Sequence, residues 1–245
     1  MNESVRVETV TKRYKDVTAV KEVSLAASKG EVLGILGPSG AGKSTLLRLM
    51  DLLELPDSGS VIIRGKPVDA TTNEAVGLRR SIGMVLQKPV VLNRSVANNL
   101  AYALQIRGWD EDRVIDKVRS ELERFGLTNR TRKNARTLSG GEMQRLCFAR
   151  AMISSPDILL LDEFAANLDP ANVSLLEQRI RSYASEDAGR CVVLVTHNLF
   201  QAKRMCGRIA LMWDGEVVEV ADKGKFFENP DDERTAAFVK GELVY

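Results

Sequence analysis

The sequence predicts an α/β fold in which helices cover a central β-sheet. Short runs of apolar and β-branched residues alternate with amphipathic stretches along the 245-residue chain. Several of these runs are apolar throughout, as strands buried on both faces are. A glycine-rich segment joins one such run to the amphipathic stretch that follows it. The content of 44% hydrophobic and 28% charged residues is ordinary for a soluble globular protein.

The individual elements follow from these patterns in chain order. We predict strands at 32–36, 61–63, 82–86, 158–161 and 192–195, and helices at 43–53, 111–125, 141–153 and 171–183. Asp169 is suited to cap the last of these helices, and Pro170 is suited to its first position. The tail from 222 to 245 predicts a short helical end.

The stretch from about residue 90 to 155 has helical periodicity and no strand signal. Gly126 is suited to stop a helix that has one apolar face. The residues of this face are Val114, Ile115, Val118, Leu122 and Phe125. We therefore expect a helical segment inserted into the α/β body.

Charge, cysteine content and hydropathy exclude several classes of protein. The 35 basic and 33 acidic residues are well mixed, so no strong field favours nucleic acid or anionic lipid. Three cysteines without a C-x-x-C pair argue against a disulfide framework and fit a reducing cytoplasm. We find neither a signal-like N-terminus nor about 18 consecutive apolar residues, and therefore expect no membrane span in the chain.

The strongest local signal is a G-x-x-x-x-G-K-[ST] pattern between the strand at 32–36 and the helix at 43–53. Its glycines let backbone N–H groups turn inward around phosphates, Lys43 can reach β and γ oxygens, and the Ser44 hydroxyl can ligate Mg²⁺. The alternative is a glycine-rich turn that merely joins strand to helix, and the flanking elements favour the phosphate loop. Its residues are Gly37, Pro38, Ser39, Gly40, Ala41, Gly42, Lys43 and Ser44.

The apolar strand at 158–161 runs into two acids, Asp162 and Glu163. Carboxylates at the carboxyl end of a strand face the ligand crevice of an α/β sheet. Asp162 would hold the Mg²⁺ shell, and Glu163 would orient and polarise the attacking water. Alone, such a pair is more often a strand end that meets solvent or a helix cap. The phosphate loop earlier in the chain favours the functional interpretation.

The segment Leu138-Ser139-Gly140-Gly141-Glu142-Met143-Gln144 permits two interpretations. Ser139 and Glu142 have the S-x-x-E spacing of a capping box that starts a helix. Two successive glycines are unfavourable in a first turn but allow close approach of the backbone to an anion. We interpret the segment as a cap that is also a phosphate site.

These three segments resemble those of the ATP-binding cassette (ABC) ATPases, over nearly the whole chain. Residues 138–144 fit the family signature L-S-G-G-x-x-Q, and 37–44 and 158–163 fit its Walker A and Walker B runs. The resemblance implies a P-loop NTPase fold with a mixed β-sheet core flanked by helices, an N-terminal antiparallel β-subdomain and an inserted α-helical subdomain. It implies one domain over 1–245, with a body at 1–89 and 156–245 and a helical signature subdomain at 90–155. ATP and Mg²⁺ are the implied cofactors.

The resemblance also implies roles for residues with weaker local patterns. Tyr14 would stack on adenine, Gln87 would link Mg²⁺ and water to the helical subdomain, and Asp169 would be the D-loop acid. His197, the only histidine, would contact the γ-phosphate as the switch histidine. Taken alone, Tyr14 fits a half-exposed strand aromatic, Gln87 an inert loop start, and His197 a structural histidine. The implied catalytic residues are Glu163, His197 and Gln87; the metal ligands Ser44, Gln87 and Asp162; and the further nucleotide contacts Thr45, Ser139, Gly140 and Gly141.

Three positions depart from the family pattern without removing a group that the chemistry needs. Phe164 stands where proline is common, Asn167 where serine is common and Glu142 where glutamine is frequent. We expect these three departures to affect only the fine tuning of dimer contacts and of the hydrolysis rate. The resemblance further implies a homodimer in which Ser139, Gly140 and Gly141 reach the γ-phosphate of nucleotide held by the second copy.

Three classes of cellular function remain open. The expected one is the ATPase subunit of a membrane importer, held peripherally at the cytoplasmic face of the plasma membrane. Its partners would be transmembrane permease subunits, docking near the Gln87 loop and helical subdomain, and indirectly an extracytoplasmic binding protein, with no nucleic acid. Non-transport family members lack support, because no long coiled-coil insertion or second cassette is present. Residues 87–100 resemble tungstate- and phosphate-type oxyanion cassettes; the alternatives are amino-acid import and an exporter or cell-envelope complex.

Overall fold

The computed structural model describes residues 3–69, 73–165, 168–186 and 189–242. Within them the chain forms two β-sheets and helices that cover the larger sheet. The strands are β1 (Glu3–Tyr14), β2 (Val17–Ser28), β3 (Val32–Leu36), β4 (Ser58–Ile63), β5 (Lys66–Pro67), β6 (Ile82–Val85), β7 (Ile158–Asp162), β8 (Cys191–Val195), β9 (Arg208–Trp213) and β10 (Glu216–Asp222). The helices are α1 (Lys43–Met50), α2 (Asn73–Arg79), α3 (Val96–Gln105), α4 (Glu111–Arg124), α5 (Gly140–Met152), α6 (Pro170–Glu186), α7 (Leu199–Met205), α8 (Lys223–Glu228) and α9 (Glu233–Lys240).

The smaller sheet is antiparallel and has the strand order β2-β1-β4-β5. Its long strands alternate buried valines with more exposed positions, as half-buried strands do. The predicted strand at 61–63 belongs to β4 of this sheet and is not part of the central one. The N-terminal antiparallel β-subdomain is therefore present.

The central sheet has the order β10-β9-β3-β8-β7-β6. All neighbours from β9 to β6 pair in parallel, and β10 is added antiparallel at one edge, so the sheet is mixed. Every residue of β7 and β8 is buried, as expected for strands covered on both faces. The carboxyl ends of β3, β8, β7 and β6 therefore meet at one edge of the sheet.

Helices replace strands between β6 and β7, as the periodicity predicts. At the end of α4, Gly126 adopts φ 64, and the Leu127 N–H donates to Leu122 O at 2.7 Å, which is the Schellman arrangement of a helix stop. The apolar face of α4 is buried at Val114, Val118 and Leu122. Ile115 was wrongly assigned to the buried face: it is 49% exposed, because it lies at the rim of the apolar stripe. The domain boundaries at residues 90 and 155 stay a prediction.

Several element ends differ from the predictions. Helix α1 ends at Met50 instead of residue 53, because Leu52 adopts a left-handed φ of 56. Strand β6 ends at Val85, and Leu86 is exposed. Helix α6 begins at Pro170, and the Asn172 N–H donates to Asp169 Oδ1 at 3.0 Å, which confirms the predicted cap. No helix among the described residues combines the length and the apolarity needed to cross a bilayer.

Candidate functional site

The phosphate loop connects the carboxyl end of β3 to the first residue of α1. Gly37 and Gly42 adopt φ 145 and 97, conformations that other residues rarely adopt. A Cβ atom on Gly37 would lie 2.0 Å from Met212 O, and one on Gly42 would lie 2.1 Å from Ala19 O. Both glycines are thus required by the close packing of the loop against neighbouring backbone.

Lys43 lies at the first position of α1 and folds over the loop. Its Nζ donates to the carbonyl oxygens of Gly37 at 2.8 Å and Pro38 at 2.5 Å. The residue is 6% exposed. Burial lowers the pKa of Lys43, and the charges of Glu163 and Asp162 oppose that shift. The loop therefore holds a cation beside its backbone, as a phosphate cradle requires.

Ser44 and Asp162 meet where α1 faces the end of β7. The Ser44 hydroxyl donates to Asp162 Oδ1 at 3.1 Å. Burial raises the pKa of Asp162, and the Ser44 hydrogen bond opposes this. Among the described residues, no cluster of three histidine, cysteine or acidic side chains could hold a metal. The Ser44 and Asp162 oxygens nevertheless fit Mg²⁺, which commonly takes one or two protein carboxylates together with substrate phosphates.

Glu163 lies between two polar side chains from neighbouring strand ends. Gln87, which follows β6, donates from Nε2 to Glu163 Oε2 at 2.7 Å. His197, which follows β8, places Nδ1 3.3 Å from Glu163 Oε1. Glu163 itself adopts φ 43, a left-handed conformation that is uncommon for a residue with a side chain. The structure therefore brings together all three predicted catalytic residues.

A cleft of about 250 Å³ opens between the phosphate loop and these strand ends. It extends from the loop to Glu163, and a smaller adjoining cavity contains Glu163 and His197. The cleft also includes Ala19 of β2, a residue that no local sequence pattern marks as functional. The residues that line the cleft are Ala19, Ser39, Gly40, Gly42, Lys43, Ser44, Thr45, Gln87 and Glu163.

Tyr14 lies at the end of β1, close to α1. Its hydroxyl bonds Glu54, and Thr45 also interacts with it. Burial, followed by the bond to Glu54, raises the pKa of Tyr14. The residue is 40% exposed, and Lys12 Nζ lies 5.8 Å from the ring centroid. Tyr14 is thus a half-exposed strand aromatic, as one interpretation expects, and it is tied to the helix that follows the phosphate loop.

The signature segment starts α5 through a complete capping box. Ser139 Oγ accepts from the Glu142 N–H at 3.3 Å, and Glu142 Oε2 accepts from the Ser139 N–H at 3.0 Å. Glu142 Oε1 also accepts from Arg130 Nε at 2.7 Å. The Ser139 N–H bond, together with Arg130, lowers the pKa of Glu142 to about 2. The capping interpretation is confirmed; none of Ser139, Gly140 and Gly141 lines the cleft described above.

The structure adds two connections that local patterns do not reveal. Gln144 Nε2 donates to the buried Phe164 O at 3.1 Å, so α5 is bonded to the residue after Glu163. Arg145 of α5 bonds Asn172, which bonds Asp169. Gln144 is the last residue of the signature pattern, and this was the only indication in the sequence that its side chain has a specific role. Asn167 lies outside the described residues.

Residues 20–166 match the family model described as ABC transporter. A phosphate import ATP-binding protein, PstB 2 of Natronomonas pharaonis, is 40% identical over 94% of this chain and 84% of its own length. A methionine import ATP-binding protein, MetN 3 of Oceanobacillus iheyensis, is 38% identical over 96% of this chain and 71% of its own length.

The fold has a similarly clear relative among solved structures. The dimeric ATP-binding cassette MJ0796, in a post-hydrolysis state bound to ADP and Pi, superimposes with a TM-score of 0.82. It is 30% identical, and the match covers 89% of this chain and 98% of that one. The phosphate loop and the three strand ends that carry Gln87, Glu163 and His197 agree with these matches. The chain therefore belongs to the ABC transporter family, as one of its ATPases.

Proposed function

We propose that two copies of this chain bind and hydrolyse ATP to drive a membrane importer of a small inorganic oxyanion. The observation that carries the proposal is the convergence of Gln87, Glu163 and His197 beside the loop that holds Lys43. A nucleotide in the cleft would contact the backbone amides of the loop, Lys43 and the first turn of α1. Tyr14 would stack on the adenine from the adjoining strand end.

Glu163 is the residue proposed to act on the attacking water. Gln87 Nε2 donates to one of its oxygens at 2.7 Å, and His197 Nδ1 lies 3.3 Å from the other. A carboxylate that is hydrogen-bonded on one side and flanked on the other has little freedom to turn away from a water molecule, so it can align that water for attack. With a nucleotide bound, the cation of Lys43 and the side chains of Gln87 and His197 would lie where charge develops during phosphoryl transfer.

Ser44 and Asp162 are the proposed Mg²⁺ ligands, with Gln87 beside them. When bound, Mg²⁺ supplies charge neutralisation for the phosphate oxygens. The two side chains already lie together without the ion, because Asp162 is buried and accepts the Ser44 hydrogen bond. Both groups supply oxygen, which this ion prefers.

Ser139, Gly140 and Gly141 are proposed to serve a second copy of the chain. They form the first turn of α5, where a helix N-terminus attracts an anion, and they do not line the cleft of their own chain. The solved relative MJ0796 is dimeric, which supports a pairing in which each signature turn faces the other copy's nucleotide. Asp169, linked to α5 through Asn172 and Arg145, would lie at this junction.

The catalytic proposal is tested by Glu163→Gln, with Glu123→Gln on the exposed face of α4 as the matched control. The amide cannot accept a proton, so turnover should fall by roughly 10²- to 10⁴-fold. ATP affinity should persist, and the variant should elute as an ATP-dependent dimer in size-exclusion chromatography. Near-normal hydrolysis by the variant would remove Glu163 from the role of base.

The oxyanion cargo rests on two observations. Residues 87–100 resemble oxyanion cassettes, and the Natronomonas relative is a phosphate import protein. Phosphate, molybdate and tungstate are the candidates. Methionine import is the second candidate, because the Oceanobacillus relative is almost as similar. Co-purification of the membrane partner and its binding protein, followed by titration with the three anions and methionine, separates these cargos; binding of methionine alone would refute the oxyanion.

The permease contact is proposed beside Gln87 and the helices that follow, at the cytoplasmic face of the plasma membrane. Val90, 56% exposed, presents an apolar side chain there, while its carbonyl accepts from Arg150 Nη2 at 2.6 Å. The loop is therefore bonded to α5, so a displacement of the loop by the permease would be transmitted to the helix that carries the signature segment. An extracytoplasmic binding protein would act on this chain only through the permease.

A further inference from the structure

We propose that the chain has a second anion site, for a small inorganic oxyanion such as phosphate, in a basic pocket built from other elements than the phosphate loop. The pocket lies where α4, the end of α5, α6 and the residue before β8 meet. Its principal lining residues are Lys117, Arg124, Arg179, Ser182, Tyr183 and Arg190.

The charge of this basic pocket favours an anion. Four cationic side chains line it, and no acidic side chain does so within the described part of the chain. Glu121 lies beside it, with Oε1 3.1 Å from Lys117 Nζ and 3.5 Å from Arg124 Nη1. The single charge of Glu121 cannot neutralise Lys117, Arg124 and Arg179 together, so this side of the pocket keeps a positive potential.

Arg179 provides a donor without an acceptor. Its Nη2 donates to Arg124 O at 3.2 Å, which orients the guanidinium across the end of α4. Its Nε is buried and has no hydrogen-bond partner among the described residues. A buried charged donor left without an acceptor is unfavourable, and an oxyanion carries several acceptor atoms.

The other lining groups suit the same ligand. The Arg190 guanidinium lies 4.6 Å from the centroid of the Tyr183 ring, a cation–π contact that helps to hold it in place. Tyr183 is only 4% exposed, so the pocket is recessed. Ser182 adds a hydroxyl that can donate to an anion.

The size of the pocket limits the ligand. Its volume is about 180 Å³, which corresponds to about six water molecules at roughly 30 Å³ each. A tetrahedral oxyanion with part of its hydration shell fits, and it would link α4 to α6.

The test is equilibrium dialysis of the full chain against radiolabelled inorganic phosphate. A saturating, non-hydrolysable ATP analogue with Mg²⁺ keeps the phosphate loop filled, so that only a second site is counted. We expect one phosphate per chain, at least tenfold weaker binding in Arg179→Gln, and less than a twofold change in Arg181→Gln, the matched control on α6. This readout does not depend on hydrolysis or on the transported cargo.

Two further measurements keep the proposal falsifiable. Unchanged affinity for the ATP analogue shows that Arg179→Gln is folded; if that affinity is lost, Lys117→Gln replaces it in the same assay. Absence of saturable phosphate binding in the unmodified chain, or equal binding in the variant, would overturn the proposal. Sedimentation with phosphatidylglycerol vesicles that depends on Arg179, without binding of free phosphate, would assign the pocket to a lipid headgroup instead and also overturn it.

Discussion

Glutamine is frequent in the family at the position of Glu142. The variant Glu142→Gln therefore tests how much the glutamate contributes to the stability of this chain. Glu142 Oε2 accepts from the Ser139 N–H at 3.0 Å, and Oε1 accepts from Arg130 Nε at 2.7 Å. A glutamine side chain keeps an oxygen for the Ser139 N–H, so the capping box survives. It loses the charge that attracts Arg130.

The magnitude follows from the pKa of Glu142. The interval from 4.5 to about 2 corresponds to at most about 3 kcal/mol of stabilisation. The Ser139 N–H, the largest cause, remains available to glutamine. Arg130 is 43% exposed, so solvent screens its share, and we expect a loss of about 1 kcal/mol. In a domain of this size that lowers Tm by about 2–4 °C.

Urea unfolding at several pH values is the assay. A carboxyl group whose pKa is lowered by folding contributes its full stabilisation above its unfolded pKa, and that contribution is lost as pH falls towards the folded value. The difference between the parent chain and Glu142→Gln should therefore be constant from pH 7 to 5.5 and shrink below about pH 4.5. Arg130→Gln should cause a similar loss.

The double variant decides whether the ion pair is responsible. If the two groups act through each other, the double variant should be little less stable than either single one. If the losses of stability in the two single variants simply add in the double variant, the ion pair is not responsible for them. A Glu142→Gln chain that is as stable as the parent at pH 7 would also refute the expected contribution of the pair.

Three further changes test the cleft and its surroundings. Lys43→Ala should reduce ATP affinity by at least tenfold in fluorescence titration, because the buried cation is removed, and unchanged affinity would contradict the cradle. Gly42→Ala should also weaken ATP binding, since its Cβ would meet Ala19 O at 2.1 Å; calorimetry measures this, and Gly224→Ala, where a Cβ meets nothing within 4 Å, is the control. Gln144→Leu should cost about 1–3 kcal/mol in chemical unfolding by leaving Phe164 O buried and unpaired, and a loss below 0.5 kcal/mol would show that another donor replaces it.

The central strands were predictable because their environment leaves a simple pattern. β7 and β8 are buried on both faces, and their uninterrupted apolar runs record this. The parallel order then brings Asp162, Glu163 and His197 to one edge. The β9–β10 hairpin was missed although Asp214 and Gly215, at φ 47 and 86, form a tight turn between its strands. The Asp-Gly pair is a recognised hairpin signal.

Other features have no local pattern to reveal them. The bond from Gln144 to Phe164 joins residues 20 positions apart, and only the packing of α5 against the end of β7 determines it. The bond of Gln87 to Glu163 and the 3.3 Å approach of His197 Nδ1 to the same carboxylate likewise depend on strand order. The family resemblance implied that Gln87, Glu163 and His197 act at one nucleotide; it did not imply that Gln87 and His197 would both approach the same carboxylate.

The capping bond of Ser139 has a consequence for the direction of its hydroxyl. In accepting the Glu142 N–H, the oxygen uses a lone pair and is anchored in position. Its single proton is not used by that bond and stays free to turn towards another acceptor. The oxygen that starts α5 as an acceptor is thus held in place by the helix, and it keeps a proton that it can donate to an acceptor approaching the turn.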